Sequence, residues 1–304
     1  MVCKNCKNNP VITLPNSNIM LCKGCFLKYV ERKAYKTITK YKMFRPEDKT
    51  ITIGVSGGKD SFSLLYFMNK LAEKKKLLKL KVVSVDEGIK GYRDLKHVKN
   101  YCKENNTELH IYSFKKEFGM TLDEMVKKTG LNPCSICGVL RRFLLNAKSR
   151  ELKADKIATG HNLDDEAQSV LMNQFRGGME RSARLGPVTG IVTDPRFVRR
   201  VKPFYFLTEK EMTAYCFLRK LPVDYGECPY AHSSYRGEVR DLINNFTAKH
   251  KQTKHAIINS FLSILPLLKK EYAKVEIRGC KKCGESCSGE VCKACELIKS
   301  LKAR

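Results

Sequence analysis

The chain has 304 residues, 42% of them hydrophobic, and a formal net charge of +27 from 58 basic and 31 acidic side chains. This size and composition are typical of a globular protein with one sizeable core, and no apolar run approaches the roughly 20 residues of a membrane span. The charge predicts a polyanionic partner, nucleic acid first, although part of the excess has the alternative interpretation of solvated surface lysine. The start of the chain lacks a signal-peptide pattern, so we expect a cytoplasmic protein.

The chain begins with a group of closely spaced cysteines, namely Cys3, Cys6, Cys22 and Cys25. Two Cys-x2-Cys pairs are typical of a four-thiolate zinc site, in which the metal replaces a core that so few residues cannot build. The alternative is four unrelated thiols. A basic helix is predicted over residues 26–44, and Pro46 marks a linker because proline blocks continuation of a helix.

Residues 56–61 read Ser-Gly-Gly-Lys-Asp-Ser and are the most informative stretch. They follow a predicted strand over 51–55 and precede a predicted helix over about 60–73. Strand, glycine turn and helix together direct backbone N–H groups and a helix N-terminus at a phosphate. The stretch is not a Walker A loop, because Ile53 and Asp60 replace the first Gly and the Ser/Thr of that motif. The alternative is a glycine turn without a ligand.

Strands and helices alternate after this loop. The predicted strands cover 80–86, 108–112 and 156–159, and the predicted helices cover 92–105, 134–152 and 164–175. This alternation predicts an α/β fold with a parallel, doubly wound sheet and helices on both faces, whose ligands bind at the carboxyl ends of the strands. Beyond residue 203 the predicted elements are helices, over 209–221, 238–246 and 255–265.

The end of the chain carries a second set of two Cys-x2-Cys pairs, namely Cys280, Cys283, Cys292 and Cys295, with Cys287 as a spare thiol between them. Basic zinc modules at both ends predict contacts with RNA; the alternative is a purely structural zinc clip. We therefore divide the chain into a zinc module (1–28), a basic helix and linker (29–49), a nucleotide-binding domain (50–202), a helical region (203–273) and a zinc ribbon (274–304).

Six cysteines remain after these eight. Cys134 and Cys137 open a predicted helix, whose N-terminal dipole is expected to lower the thiol pKa. With Cys228 they would supply three thiolates, enough to hold an iron–sulfur cluster and leave one iron without a protein ligand. The alternative is a redox dithiol without a cluster. Cys102 and Cys216 lie in apolar helical patterns and are predicted to be buried.

Residues 160–166 read Gly-His-Asn-Leu-Asp-Asp-Glu and follow the strand predicted over 156–159. Their acids are candidates for holding Mg²⁺ on ATP phosphates, and the alternative is that they only cap a helix. His161 is a weaker candidate, for packing or for a hydrogen bond. Arg141 lies one helical turn after Cys137 on the same side, where it is a candidate to stabilise negative charge.

In this order the motifs resemble the tRNA 2-thiolation family of PP-loop adenine nucleotide α-hydrolases, which have a fold of the N-type ATP pyrophosphatase (HUP-like) class. The shared pieces are both zinc modules, Ser-Gly-Gly-Lys-Asp-Ser, Pro-Cys-x2-Cys-Gly, Gly-His-Asn-x-Asp-Asp and Gly-Glu-Cys-Pro. The resemblance implies a tRNA-uridine 2-sulfurtransferase. ATP adenylates the uridine C2 oxygen, and sulfur from a cluster-bound sulfide replaces that oxygen to give 2-thiouridine. It also implies a homodimer that uses a ubiquitin-like thiocarboxylate carrier or free sulfide as sulfur donor.

The resemblance also implies roles for individual residues. The ATP-binding residues are Ser56, Gly57, Gly58, Lys59, Asp60, Ser61, Val85, Gly160 and Asp165. The catalytic residues are Cys134, Cys137, Cys228, Asp165 and Arg141. The implied cofactors are a 4Fe–4S cluster on the three cysteines, two Zn²⁺ and Mg²⁺. Arg141 takes a place often filled by lysine, which keeps the charge but removes a proton-donating role. Two alternatives stay open: the same reaction through a cysteine persulfide without iron, and a non-catalytic zinc protein that binds RNA.

Overall fold

The structure is a computed structural model that describes residues 2–14, 16–74, 78–223, 225–231, 234–274 and 277–303. Its strands are β1 (Ile12–Thr13), β2 (Met20–Leu21), β3 (Thr50–Gly54), β4 (Lys79–Asp86), β5 (Glu108–Ser113), β6 (Lys156–Thr159), β7 (Arg200–Val201), β8 (Arg278–Gly279) and β9 (Ser286–Cys287). Its helices are α1 (Lys23–Lys40), α2 (Lys59–Lys74), α3 (Lys96–Glu104), α4 (Phe114–Phe118), α5 (Leu122–Thr129), α6 (Pro133–Glu151), α7 (Leu163–Phe175), α8 (Met179–Ala183), α9 (Glu209–Leu218), α10 (Tyr235–Lys249), α11 (Thr253–Tyr272) and α12 (Lys293–Ala303).

A parallel five-stranded sheet with the order β5–β4–β3–β6–β7 forms the centre of the fold. Ile51 and Ile53 of β3 are fully buried, as expected for the middle strand of a sheet covered on both faces. The sheet and its helices confirm the predicted doubly wound α/β fold. Because all five strands run in one direction, the segments that follow β3, β4 and β6 meet at one edge.

The two faces of the sheet contact different cores. Val82 and Val85 of β4 are three positions apart, an odd offset, so their side chains point to opposite faces. The Val82 side packs against α1, α2 and α9, and α1 contributes a buried stripe of Phe26, Val30 and Ala34 at helical spacing. The Val85 side packs against α5, α6 and the C-terminal ribbon with α12. Both cysteine-rich ends are therefore continuous with the main cores.

Several elements differ from the sequence-based predictions. The helix predicted from residue 92 begins only at Lys96, because Gly88, Gly91 and Arg93 have positive φ in the preceding loop. The helix predicted over 255–265 spans Thr253–Tyr272 and continues through Pro266. The short elements α4, α5, α8 and β7 were not predicted, since two to eight residues carry little periodicity. None of the described helices has the length and apolar character needed to cross a bilayer.

Candidate active site and metal centres

The loop between β3 and α2 is closed by its own serines. Ser61 Oγ donates to the Gly58 carbonyl at 3.0 Å and accepts from Ser56 N–H at 3.1 Å. Gly57 has φ +86°, a left-handed conformation that favours glycine. These bonds fix the turn so that the first backbone N–H groups of α2 stay free for an anion, as in other phosphate loops.

Gly160 lies directly against the start of α2. A Cβ at this position would lie 2.8 Å from both the carbonyl carbon and the oxygen of Asp60, so only glycine fits without a backbone shift. This contact brings the segment after β6 beside the loop after β3. Val85 is buried at the end of β4, so its backbone rather than its side chain is what this strand offers to the site.

Lys59 lies between two carboxylates. Its Nζ donates to Asp60 Oδ2 at 3.1 Å and to Glu209 Oε1 at 3.0 Å. Burial lowers the pKa of Lys59, but the two acids outweigh it and the net shift is upward, so the ammonium stays charged. Sequence reasoning missed Glu209. The capping box of Thr208 and Glu211 predicts where α9 begins, but only the packing of α9 on α2 brings Glu209 to Lys59.

Asp60 and Asp165 form a pair of carboxylates with perturbed titration. Burial first, and then the Asp60 charge, raise the pKa of Asp165 to about 7. Burial also raises the pKa of Asp60, although Lys59 opposes the shift. Asp60 Oδ1 is buried and makes no hydrogen bond to any atom of the described residues, although the Asn162 side chain lies close enough to oppose the rise in the Asp60 pKa. Two neighbouring carboxylates with an unpartnered oxygen fit a hard cation such as Mg²⁺, which prefers oxygen ligands.

The other acids of this segment have structural contacts. Asp164 accepts from Glu209 N–H at 2.8 Å and pairs with Lys254, and Glu166 pairs with Lys202 at 2.7 Å. Asp165 also caps α7, because its Oδ2 accepts from Asn162 N–H at 3.1 Å. The helix cap, posed as the alternative for these acids, is therefore present at Asp165, and Mg²⁺ binding by Asp165 stays a prediction.

His161 follows β6 and is exposed to solvent, although many protein atoms surround its ring. Its Nδ1 lies 2.9 Å from Thr159 Oγ1. Burial, followed by the positive charges of Lys202 and Arg236, lowers its pKa well below the usual value, so the ring is neutral. The hydrogen bond predicted for His161 is present.

The three candidate cluster cysteines meet at the start of α6. Cys134 Sγ lies 3.7 Å from the carbonyl oxygen of Tyr230, two residues after Cys228. The Tyr230 hydroxyl donates to Asp123 Oδ1 at 2.7 Å, which fastens this turn to α5. Cys137 lies on the same helix and packs in the same core as Cys228. Cys137 and Cys228, which are 91 positions apart in the sequence, thus lie in the same part of the fold.

The predicted lowering of the thiol pKa at the start of α6 is wrong. Burial, followed by the charge of Cys228, raises the pKa of Cys134. Burial raises that of Cys137 to about 11, even though Arg141 acts in the opposite direction. Desolvation therefore dominates the pKa of both thiols, which stay protonated at neutral pH until a metal displaces the proton.

The trio fits a cluster better than a single metal ion. Among the described residues, only the two terminal cysteine sets bring three or more potential ligand atoms within 4.8 Å of one another. The cysteines of a 4Fe–4S cluster each bind a different iron, so they lie farther apart than thiolates that share one ion. The looser spacing of Cys134, Cys137 and Cys228 agrees with that requirement.

Glu87, which follows β4, joins the trio to Arg141. Its buried carboxylate lies 3.9 Å from Cys137 Sγ, 3.4 Å from Arg141 Nη1 and 3.8 Å from Arg93 Nη1. The sequence analysis did not single out Glu87, because nothing local marks a single acid after a strand. Its contacts place Arg141 on the side of α6 that carries Cys137, as predicted.

The terminal cysteine sets have the geometry of zinc sites. Cys6 Sγ lies 3.4 Å from Cys22 Sγ and 3.5 Å from Cys25 Sγ, and Cys283 Sγ lies 3.6 Å from Cys292 Sγ. Four thiolates around one zinc, at bonds of about 2.3 Å, stand about 3.8 Å apart. Backbone N–H groups of Cys292 and Lys282 donate to Cys280 Sγ. They outweigh burial and lower its pKa to about 6.

Known proteins resemble the chain over its whole length. A family model described as a PP-loop domain matches residues 27–245. The tRNA 2-thiolation protein NcsA of Haloferax volcanii is 35% identical, with both chains covered completely. The cytoplasmic tRNA 2-thiolation protein 1 of Danio rerio is 38% identical over 98% of this chain and 88% of the relative. The solved structure of the U34-tRNA thiolase NcsA from Methanococcus maripaludis, with its [4Fe-4S] cluster, aligns at a TM-score of 0.84. It is 35% identical over 99% of this chain and 96% of that chain.

Proposed function

The chain belongs to the PP-loop family of tRNA 2-thiolation proteins, and on that premise we propose that it converts a tRNA uridine to 2-thiouridine at the expense of ATP. One observation carries the proposal. Three parts of the site lie at one edge of the sheet: the phosphate loop after β3, Glu87 after β4 and Asp165 after β6. The cysteine trio adjoins this edge through the contact of Cys137 with Glu87. Arg236 supports this closeness, because its charge acts on both Cys134 and Asp165.

The first half-reaction is adenylation of the uridine C2 oxygen. The free N–H groups at the start of α2 orient the triphosphate, and Lys59 exchanges its contacts with Asp60 and Glu209 for the phosphates. Asp60 and Asp165 would hold Mg²⁺, which would supply positive charge against their mutual repulsion and beside the leaving pyrophosphate. Holding the base against the α-phosphate turns a bimolecular step into a positioned one.

The second half-reaction is replacement of the activated oxygen by sulfur. Cys134, Cys137 and Cys228 would hold a 4Fe–4S cluster, which supplies, when bound, an iron without a protein ligand on which sulfur can be presented. Arg141, oriented by Glu87, contributes positive charge beside this site without acting as a proton donor. The uridine must be splayed out of its loop for its C2 atom to reach this site.

The partners follow from the same proposal. The substrate is tRNA, and the target is uridine 34, the position in the description of the solved relative. The sulfur donor is free sulfide or a ubiquitin-like thiocarboxylate, the terminal cysteine sets hold Zn²⁺, and the protein acts as a cytoplasmic homodimer.

The test is nucleoside mass spectrometry after incubation of anaerobically prepared protein with unmodified tRNA, Mg²⁺-ATP and sulfide. We expect 2-thiouridine at position 34 from the wild type and none from Cys134→Ala. Cys216→Ala is the matched control, because Cys216 is a buried thiol that is not part of the trio, and it should retain activity. Full turnover by iron-free wild-type protein would instead support the persulfide route. Salt-sensitive RNA binding with no pyrophosphate release would support a non-catalytic role.

A further inference from the structure

Three arginines close to the active site have no acidic partner among the described residues. Arg142 on α6, Arg200 on β7 and Arg236 on α10 make no ion pair with any carboxylate in the described part of the chain. Arg236 is held by neutral acceptors on α7, at 3.1 Å from both Gln168 Oε1 and Ser169 Oγ. A concentration of unpaired guanidinium groups beside a catalytic site is unfavourable unless an anion occupies it.

Packing brings Arg142 and Arg200 together. Asn146 of α6 donates to the Arg196 carbonyl at 2.9 Å and accepts from Val198 N–H at 3.0 Å, which ties the helix to the segment entering β7. The helix α6 runs antiparallel to the strands. Two residues along the strand, from Val198 to Arg200, therefore cover about the same distance as one turn back along the helix, from Asn146 to Arg142.

The face of the strand agrees with this placement. Val201 points into the core that contains α2, so its neighbour Arg200 points to the opposite face, which α6 covers. The Nε atom of Arg200 is buried and has no hydrogen-bond partner in the part of the chain that the structure describes. Glu285, an acid lying against this side of α6, is engaged by Arg150 at 2.5 Å and by Asn146, which lies one helical turn from Arg142. Burial and then Arg142 lower the pKa of Arg200 to about 10, which agrees with closely spaced like charges.

We propose that Arg142 and Arg200, with Arg236, bind a backbone phosphate of the RNA beside the uridine that enters the active site. The inference rests on the proposed function. Guanidinium forks suit phosphate oxygens, and a splayed nucleotide needs its backbone held while its base is out of the stack. The other phosphate source is ATP, but the loop after β3 already serves it. Arg200 lies two strands away on β7, across β6.

The experiment pairs a protein variant with a changed RNA. Fluorescence anisotropy measures the affinity of an anticodon stem–loop whose linkages around uridine 34 are replaced one at a time by neutral methylphosphonate. In the wild type, one such linkage should weaken binding about tenfold, the loss expected for one charge-assisted hydrogen bond. In Arg142→Gln/Arg200→Gln the same linkage should change the affinity less than about twofold, because the arginines that would interact with that phosphate are already absent. The slope of affinity against salt should fall by about one.

Controls separate this inference from the proposed function and from misfolding. Arg45→Gln removes an exposed arginine paired with Glu47 and should behave as the wild type. The double lysine variant, Arg142→Lys/Arg200→Lys, should keep most of the salt slope. The subsite would be overturned if every neutral linkage changed the RNA affinity of wild type and of Arg142→Gln/Arg200→Gln by the same factor. It would also be overturned if the variant lost ATP affinity and kept its RNA affinity. Wild-type protein that binds RNA normally but makes no 2-thiouridine would contradict the proposed function alone.

Discussion

Lys202 Nζ lies 2.7 Å from Glu166 Oε1, and only 5% and 2% of the two side chains are exposed. The pair joins the end of β7 to α7, the helix that carries Asp165. Glu166 Oε2 is buried and has no hydrogen-bond partner among the described residues, so within that part of the chain this carboxylate depends on Lys202 for its counter-charge.

Replacing Lys202 by Met should destabilise the fold by about 3–5 kcal/mol, because a buried carboxylate is left without its cation. The double variant Lys202→Met/Glu166→Leu should regain most of the stability that Lys202→Met loses, as measured by thermal unfolding. Lys293→Met is the control: its pair with Glu296 has a similar distance of 2.8 Å but is exposed, so the cost should stay below about 1 kcal/mol. If Lys202→Met were as stable as Lys293→Met, Lys202 would not be the group that stabilises the buried Glu166 carboxylate.

Gly160→Ala should weaken ATP binding at least about tenfold, equivalent to about 1.4 kcal/mol. The added Cβ would meet the Asp60 backbone at 2.8 Å and displace the start of α2. Calorimetric titration with a non-hydrolysable ATP analogue measures the effect. Gly289→Ala is the control, because a Cβ there meets no atom closer than 3.9 Å. Unchanged affinity in Gly160→Ala would show that the loop tolerates the shift.

Asp165→Asn should raise the melting temperature of the ligand-free protein, and more at pH 8 than at pH 5. The folded-state pKa of Asp165, about 7, lies above the ordinary value of 3.8. Its contribution to stability is therefore fully present below about pH 4 and is lost as the pH rises through 7. The amide keeps an oxygen that accepts from Asn162 but carries no charge. The measurement is the difference in melting temperature between the variant and wild type across pH 5–8.5. A difference that does not widen as the pH rises would refute the raised pKa of Asp165.

Cys292→Ala should reduce bound zinc from two ions per chain to about one and leave iron unchanged, as measured by inductively coupled plasma mass spectrometry. Cys292 belongs to the four-thiol set of the C-terminal ribbon, and three thiolates hold zinc less tightly than four. Cys287→Ala is the matched control, because this neighbouring thiol donates to the Gly289 carbonyl instead. If both variants kept two zinc ions, the ribbon would not be a four-thiolate site.

The sequence predicted those parts of the site whose signal is local. The loop 56–61, the cysteine pairs and the segment from Gly160 to Glu166 each carry their chemistry within a few residues, and the strands before them fix their edge of the sheet. Glu209, Glu87 and Arg200 were not predicted, because tertiary packing alone brings each to its partner. The thiol pKa at the start of α6 was predicted with the wrong sign, since the dipole is visible in sequence and burial is not.

The most direct test of the account counts two products in one reaction, pyrophosphate and 2-thiouridine, for Cys228→Ala and wild type. A single pocket with separate activation and sulfur-insertion steps predicts equal amounts of both products in wild type. It predicts that Cys228→Ala releases pyrophosphate in the presence of tRNA without forming 2-thiouridine. Formation of 2-thiouridine by Cys228→Ala at the wild-type rate would contradict the assignment of the cysteine trio as the sulfur site.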